Sequence, residues 1–178
     1  MTHTEATTAT PSNPVTDTPV TDPENAARID TDAHAPNFAR AMRGLDRAAG
    51  DEWDRAGLDP RLRELVRARA SQLNGCAYCV DMHTTDARAI GETEQRLYAL
   101  PVWRETPFFT ARERAALAFT ESVTLAAQTH VPAEDYAAAA ALFSEQEMAA
   151  LLALIVTINA WNAIGVATRG WVPGSYQR

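Results

Sequence analysis

This sequence predicts an all-α domain, on three observations. Apolar residues recur at three- and four-residue spacing through most of the chain beyond residue 35. Capping residues stand before these stretches and glycine or proline after them, and no stretch alternates convincingly as a strand. With 178 residues and 46% hydrophobic content, the chain can bury one sizeable core, so a single domain with a tail is expected.

The tail comes first. Residues 1–35 are rich in Thr, Pro and Asp, lack the basic start and apolar stretch of a secretory signal, and are expected to be disordered. They carry six acidic residues against Arg28, whereas the remainder, residues 36–178, holds 17 acids against 15 arginines and is nearly neutral. Next, "PNFARAMRGLDRAAG" sets Phe38, Met42 and Leu45 at helical spacing and is expected to stop at Gly50. In "LDPRLRELVRARASQLNG", Asp59 is the expected cap, Pro60 opens the first turn, and Gly75 is the stop. A helix beginning at or beside Cys76 runs to Gly91, and a short one from Thr93 ends before Pro101. "TARERAALAFTESVTLAA" and "SEQEMAALLALIVTINAWNAIGVAT" each open with a capping box, Thr110 with Glu113 and Ser144 with Glu147. The alanine-rich "PAEDYAAAAALF" between them predicts another helix.

The last helix has 21 residues without a charge, from Met148 to Thr168, enough in length for a membrane span. Thr157, Asn159, Asn162 and Thr168, with two glutamates in the opening turn, favour a buried core or subunit-interface helix instead. Trp103, Phe108, Phe109 and Trp161 read as core or interface aromatics.

Composition removes several functions. A net charge of -7 offers no basic field for nucleic acid or an anionic membrane surface. All 16 basic residues are arginines, which excludes Schiff-base lysines and lysine-dependent phosphate loops. Without a signal sequence the chain is expected in the reducing cytoplasm, where a close cysteine pair is more often catalytic or metal-binding than a structural staple.

The stretch "NGCAYCVDMH", Asn74 to His83, holds both cysteines. On a helix Cys76, Cys79 and His83 share one face. The helix N-terminus favours a thiolate at Cys76, while His83 can take the proton of Cys79, one turn away. Cys76 to His83 spans two turns, roughly 10 Å of rise, so a histidine-activated nucleophile is Cys79 and Cys76 is its disulfide partner. Such a pair suits peroxide reduction or dithiol exchange, with a carboxylate to hold the histidine; Glu64, twelve residues before Cys76, is the candidate.

The order Glu64, Cys76, Cys79, His83 resembles the E-x11-C-x-x-C-x3-H signature of the AhpD-like alkylhydroperoxidases of the carboxymuconolactone decarboxylase superfamily. "RASQLNGCAYC", "ALPVWRETPFFTARERAALAFTE" and "INAWN" are also similar to its peroxidase-like branch, so the resemblance spans roughly residues 36 to 170. It implies an AhpD-like helical domain assembled as a homo-oligomer, trimer or hexamer. It implies that Cys79 attacks the hydroperoxide, that Cys76 resolves the sulfenic acid, and that His83 and Glu64 relay protons. No bound cofactor is implied; the cycle needs an external dithiol such as dihydrolipoamide, or a thioredoxin-like protein. Some members carry a further histidine where this chain has Tyr78, which makes Tyr78 an accessory candidate. Ser71 is another, either bonding near Glu64 or fitting closely against the next helix.

Other readings remain at this stage. A general dithiol-disulfide oxidoreductase or redox sensor would use the same cysteines. A zinc module would take Cys76, Cys79 and His83 with Glu64 or His130, but the chain offers no second close-spaced ligand pair. Lactone decarboxylation is not expected, because that chemistry does not depend on a C-x-x-C pair.

Overall fold

The computed structural model describes residues 26–178. Among these residues all regular structure is helical, as the sequence predicts. Residues 1–25 of the expected tail lie outside the described residues. Residues 26–35 hold a short helix, α1 (Thr31–His34), whose cap Asp30 accepts from the backbone of Asp32 and Ala33. The Arg28 amide donates to the Thr168 carbonyl at 2.7 Å, so ordered structure begins before the expected boundary at residue 36.

Helix α2 (Pro36–Arg55) runs past Gly50, where the sequence predicts a stop. The reason lies further along: Trp53 is fully buried against Leu58, Leu62, Val66, Leu151 and Leu154. Burying a large apolar side chain is worth up to about 3 kcal/mol and outweighs the roughly 1 kcal/mol that glycine costs in a helix. The same helix leaves Phe38 and Leu45 half-exposed, with Met42 buried between them.

Helix α3 (Pro60–Asn74) starts on Asp59, which accepts from the Arg61 amide at 2.7 Å, and ends at Gly75 with φ 69°. That left-handed turn needs glycine and aims the chain directly into α4 (Ala77–Ala89), capped by Cys76. Thr93 caps α5 (Glu94–Ala99). A 3-10 segment, Leu100–Glu105, then continues through Pro101, where the sequence predicts a helix end. Proline fits there because the first turn does not need its missing N–H. Buried Leu100 and Trp103 anchor that segment.

Both predicted capping boxes form, opening α6 (Ala111–Thr124) and α9 (Glu145–Thr168). Between them lie α7 (Ala126–Thr129) and α8 (Ala133–Ala140). His130 caps the end of α7 with φ 54° and is exposed, away from the cysteines.

Helix α3 packs on α4, α6 and α9, and α9 also packs on α2, α6 and α8. By length and composition α9 could cross a membrane. Its Leu151, Leu154 and Ile155 are fully buried in the core, while Leu152 and Val156 face outward. Polar side chains fix its register: Asn74 Nδ2 donates to Asn159 Oδ1 at 2.7 Å and to Asn162 Oδ1 at 3.0 Å. Asn162 Nδ2 donates to Ser71 Oγ at 2.9 Å, and Asn159 Nδ2 to Thr124 Oγ1 at 3.1 Å. The two asparagines thus tie α9 to α3 and α6.

Candidate active site

The site forms where the α3–α4 corner meets α9. Gly75 ends one helix and Cys76 caps the next, so both cysteines stand in the first turn of α4. They are joined as a disulfide, and Cys76 Sγ accepts from the Cys79 amide at 3.4 Å. Both are buried, at 3% and 2% exposure. Four residues on, His83 is equally buried on the same face.

Glu64, from the middle of α3, meets His83 across the helix pair. Its Oε2 lies 2.9 Å from His83 Nδ1. A carboxylate only accepts, so Nδ1 carries a proton, and in the neutral imidazole Nε2 is left as the acceptor. That Nε2 is buried and has no hydrogen-bond partner among the described residues. Glu64 Oε1 accepts from Arg63 Nε at 3.1 Å and Arg67 Nη1 at 3.5 Å. Burial would raise its pKa, but the hydrogen bond from His83 and the charges of Arg67 and Arg63 hold it below the ordinary glutamate value. Glu64 is therefore an ionised, oriented group, not a solvated surface acid.

A cavity of about 360 Å³ opens on this pair. Cys79 and His83 line it together with Tyr78, Met82, Ile158, Trp161 and Trp171. Cys76 does not line it: an added Cβ at Gly165 of α9 would meet Cys76 Sγ at 3.0 Å and the Trp171 ring at 3.0 Å, so this sulfur sits close against α9. Four of the six predicted site residues, Glu64, Cys76, Cys79 and His83, thus come together, and Tyr78 joins them on the cavity wall. Ser71 is different: its hydroxyl donates to the Arg67 carbonyl at 2.7 Å and accepts from Asn162, so it supports the α3–α9 contact instead of touching Glu64.

Trp161, which the sequence places in a core or interface, belongs to the cavity wall, and so does Trp171, which no sequence signal singles out. Trp171 lies on the segment after α9, which folds back over α4: Gly174 N donates to Asp81 Oδ2 at 2.8 Å, and Tyr176 OH to Asp86 Oδ1 at 3.0 Å. Nothing local in "GWVPGSYQR" announces that return, since its partners lie some ninety residues earlier.

For a cation, Glu64, His83 and Asp86 offer ligand atoms within 4.8 Å of one another. It would have to compete with Arg63 and Arg67 for Glu64. Of the two alternatives for a fourth zinc ligand, Glu64 lies beside His83, whereas His130 stands at the end of α7.

The carboxymuconolactone decarboxylase family pattern matches residues 36–122. YdfG of Bacillus subtilis (strain 168), an uncharacterized protein, is 47% identical over 105 residues, 59% of this chain and 71% of YdfG. The chain belongs to the carboxymuconolactone decarboxylase family. Within it, the fold is similar to that of a protein of unknown function from Agrobacterium tumefaciens, described as a candidate antioxidant defence protein AhpD. The TM-score is 0.77 at 36% identity, covering 83% of this chain and 99% of that one. The debrominase Bmp8 shares the fold at a TM-score of 0.67 and 22% identity, over 81% of this chain and 75% of its own. The family pattern ends before α9, so Trp161 and Trp171 lie beyond it.

Proposed function

We propose that the chain is a thiol-dependent peroxidase that reduces organic hydroperoxides, with Cys79 as nucleophile and Cys76 as resolving thiol. One observation carries this reading: Cys79 and His83 share a cavity wall while Glu64 fixes the His83 tautomer from behind, which leaves Nε2 to take the thiol proton. In the reduced enzyme the Cys79 thiolate attacks the terminal oxygen of ROOH. The O–O bond breaks, and the leaving alkoxide takes the proton held at Nε2 to become ROH. Cys79 is now a sulfenic acid; the Cys76 thiolate attacks its sulfur, hydroxide leaves and is protonated to water, and the disulfide forms. An external dithiol supplies two electrons and two protons to restore both thiols.

No cofactor enters this cycle. The low exposure of both sulfurs favours a small dithiol such as dihydrolipoamide, entering by the cavity, over a thioredoxin-like protein. A cycle that restarts from two thiols suits a reducing, cytoplasmic compartment. We also propose that copies of the chain assemble, as the family resemblance implies, through the outward stripe of α9 that carries Leu152 and Val156.

The test is peroxide consumption with an organic hydroperoxide and dihydrolipoamide. Cys79→Ser should abolish turnover. Cys76→Ser should stop after one equivalent, with a sulfenic acid that a dimedone probe traps, and His83→Ala should slow the reaction by about 10²-fold or more. Retained turnover in Cys79→Ser would overturn the assignment of roles.

A further inference from the structure

Three aromatic rings meet beside Cys79. Trp161 and Trp171 have centroids 5.8 Å apart at 62°, and Tyr78 and Trp171 are 5.7 Å apart at 40°. Tilted in this way they do not stack into a closed plug, and they offer both faces and edges to a further ring. All three line the cavity, with Met82 and Ile158 completing its apolar wall. Trp171 is held in place by the pinned segment that follows α9, through Gly174 to Asp81 and Tyr176 to Asp86.

The charged groups on the same wall are already paired. Arg67 holds Asp46 at 3.3 Å and Glu64 at 3.5 Å. Asp86 accepts from Tyr176 and faces Arg178 at 3.6 Å. A substrate carboxylate would have to break Arg67 away from two acids to be received. What remains open is one buried acceptor, His83 Nε2, beside one sulfur at the edge of an apolar chamber. Hydrogen peroxide, about the size of the water whose share of liquid volume is roughly 30 Å³, would leave most of the chamber without contacts.

We propose that the hydroperoxide this site takes is neutral and carries an aromatic ring, held among Tyr78, Trp161 and Trp171 with its OOH end at Cys79 and His83. This rests on the peroxidase reading and adds the identity of R. The step is unchanged: the Cys79 sulfur gains the terminal oxygen, and the aromatic alkoxide leaves with the proton from His83.

Cumene hydroperoxide and tert-butyl hydroperoxide are the discriminating pair, because both are tertiary and differ by a phenyl in place of a methyl. With dihydrolipoamide as reductant, kcat/KM for cumene hydroperoxide should exceed that for tert-butyl hydroperoxide by about tenfold. A cumene hydroperoxide carrying a ring carboxylate should lose about that factor again. Trp171→Ala should shrink the phenyl preference by about tenfold, and Trp171→Phe should keep most of it. Because each preference is a ratio measured within one preparation, a partly folded variant does not distort it. Turnover of both substrates with a ratio near one, or a preference unchanged in Trp171→Ala, overturns the inference and leaves the peroxidase reading standing. Absence of turnover with every hydroperoxide refutes that reading and this inference with it.

Discussion

Glu64→Gln isolates the charge at the centre of the site while keeping its shape. The carboxylate has three donors, His83 Nδ1 at 2.9 Å, Arg63 Nε at 3.1 Å and Arg67 Nη1 at 3.5 Å, and its side chain is 5% exposed. Breaking a buried ion pair outright costs about 3–5 kcal/mol. Three features reduce that here. Glutamine still accepts one hydrogen bond, Arg63 keeps Asp54 at 3.4 Å, and Arg67 keeps Asp46 at 3.3 Å. Losing the charge assistance should then cost about 2 kcal/mol at neutral pH, or a Tm drop of roughly 4–8 °C for a chain of this size. The pH dependence gives a sharper check. Because the pKa of Glu64 is held below its ordinary value, its contribution is fully present above that value and is lost as pH falls through the lower, folded-state value. Urea unfolding followed by far-UV circular dichroism should show wild type and variant well separated near neutrality and converging in acid. A gap of less than about 0.5 kcal/mol at neutral pH, or one that stays constant into acid, would refute the account of Glu64 as a stabilised buried carboxylate.

Two further substitutions probe the frame around the site. Gly75→Ala puts a Cβ on a residue with φ 69° where nothing lies within 4 Å, so the cost is purely conformational. It should be about 1–2 kcal/mol in urea unfolding, and a neutral result would mean that the α3–α4 corner relaxes freely. Leu152→Glu with Val156→Glu charges the outward stripe of α9 without touching the core, since these two are 43% and 51% exposed. Light scattering should show the assembly reduced to monomers with helicity retained, and an unchanged mass would remove that stripe as the contact.

Much of this molecule was legible because its signals are local. Asp59, Thr110 and Ser144 cap helices within three residues of themselves, and Gly75 stops one through its own backbone. The cysteine pair and His83 were readable for the same reason, since a single helical turn fixes their relation. Glu64 needed the family pattern, because two helices must pack before it meets His83. The misses are tertiary. Gly50 does not stop α2 because Trp53 finds a core made partly by α9, a hundred residues away in sequence. Phe38 and Leu45 follow helical spacing yet stay half-exposed, because nothing among the described residues covers their side of α2 fully. The aromatic wall is the largest omission: Trp171 reaches the cysteines through a turn and two side-chain hydrogen bonds to α4 that no window of sequence contains.

The placement of the two sulfurs bears on why a pair separated by two residues suits the proposed cycle. In the first turn of α4, each cysteine has its own activator. The N-cap position gives Cys76 the free amides of the helix start, and the Cys79 amide already points at its sulfur. Cys79, at the third helical position, shares the cavity wall with His83, whose accepting nitrogen is fixed by Glu64. A peroxide entering the cavity therefore meets Cys79, the thiol with a base beside it, while the dipole-stabilised thiol waits behind it against Gly165. Exchanging the roles would require the peroxide to reach a sulfur that does not line the cavity and would leave the leaving oxygen without the histidine proton. In the proposed cycle the same turn of helix thus separates attack from resolution, with each thiolate drawing on a different source of stabilisation.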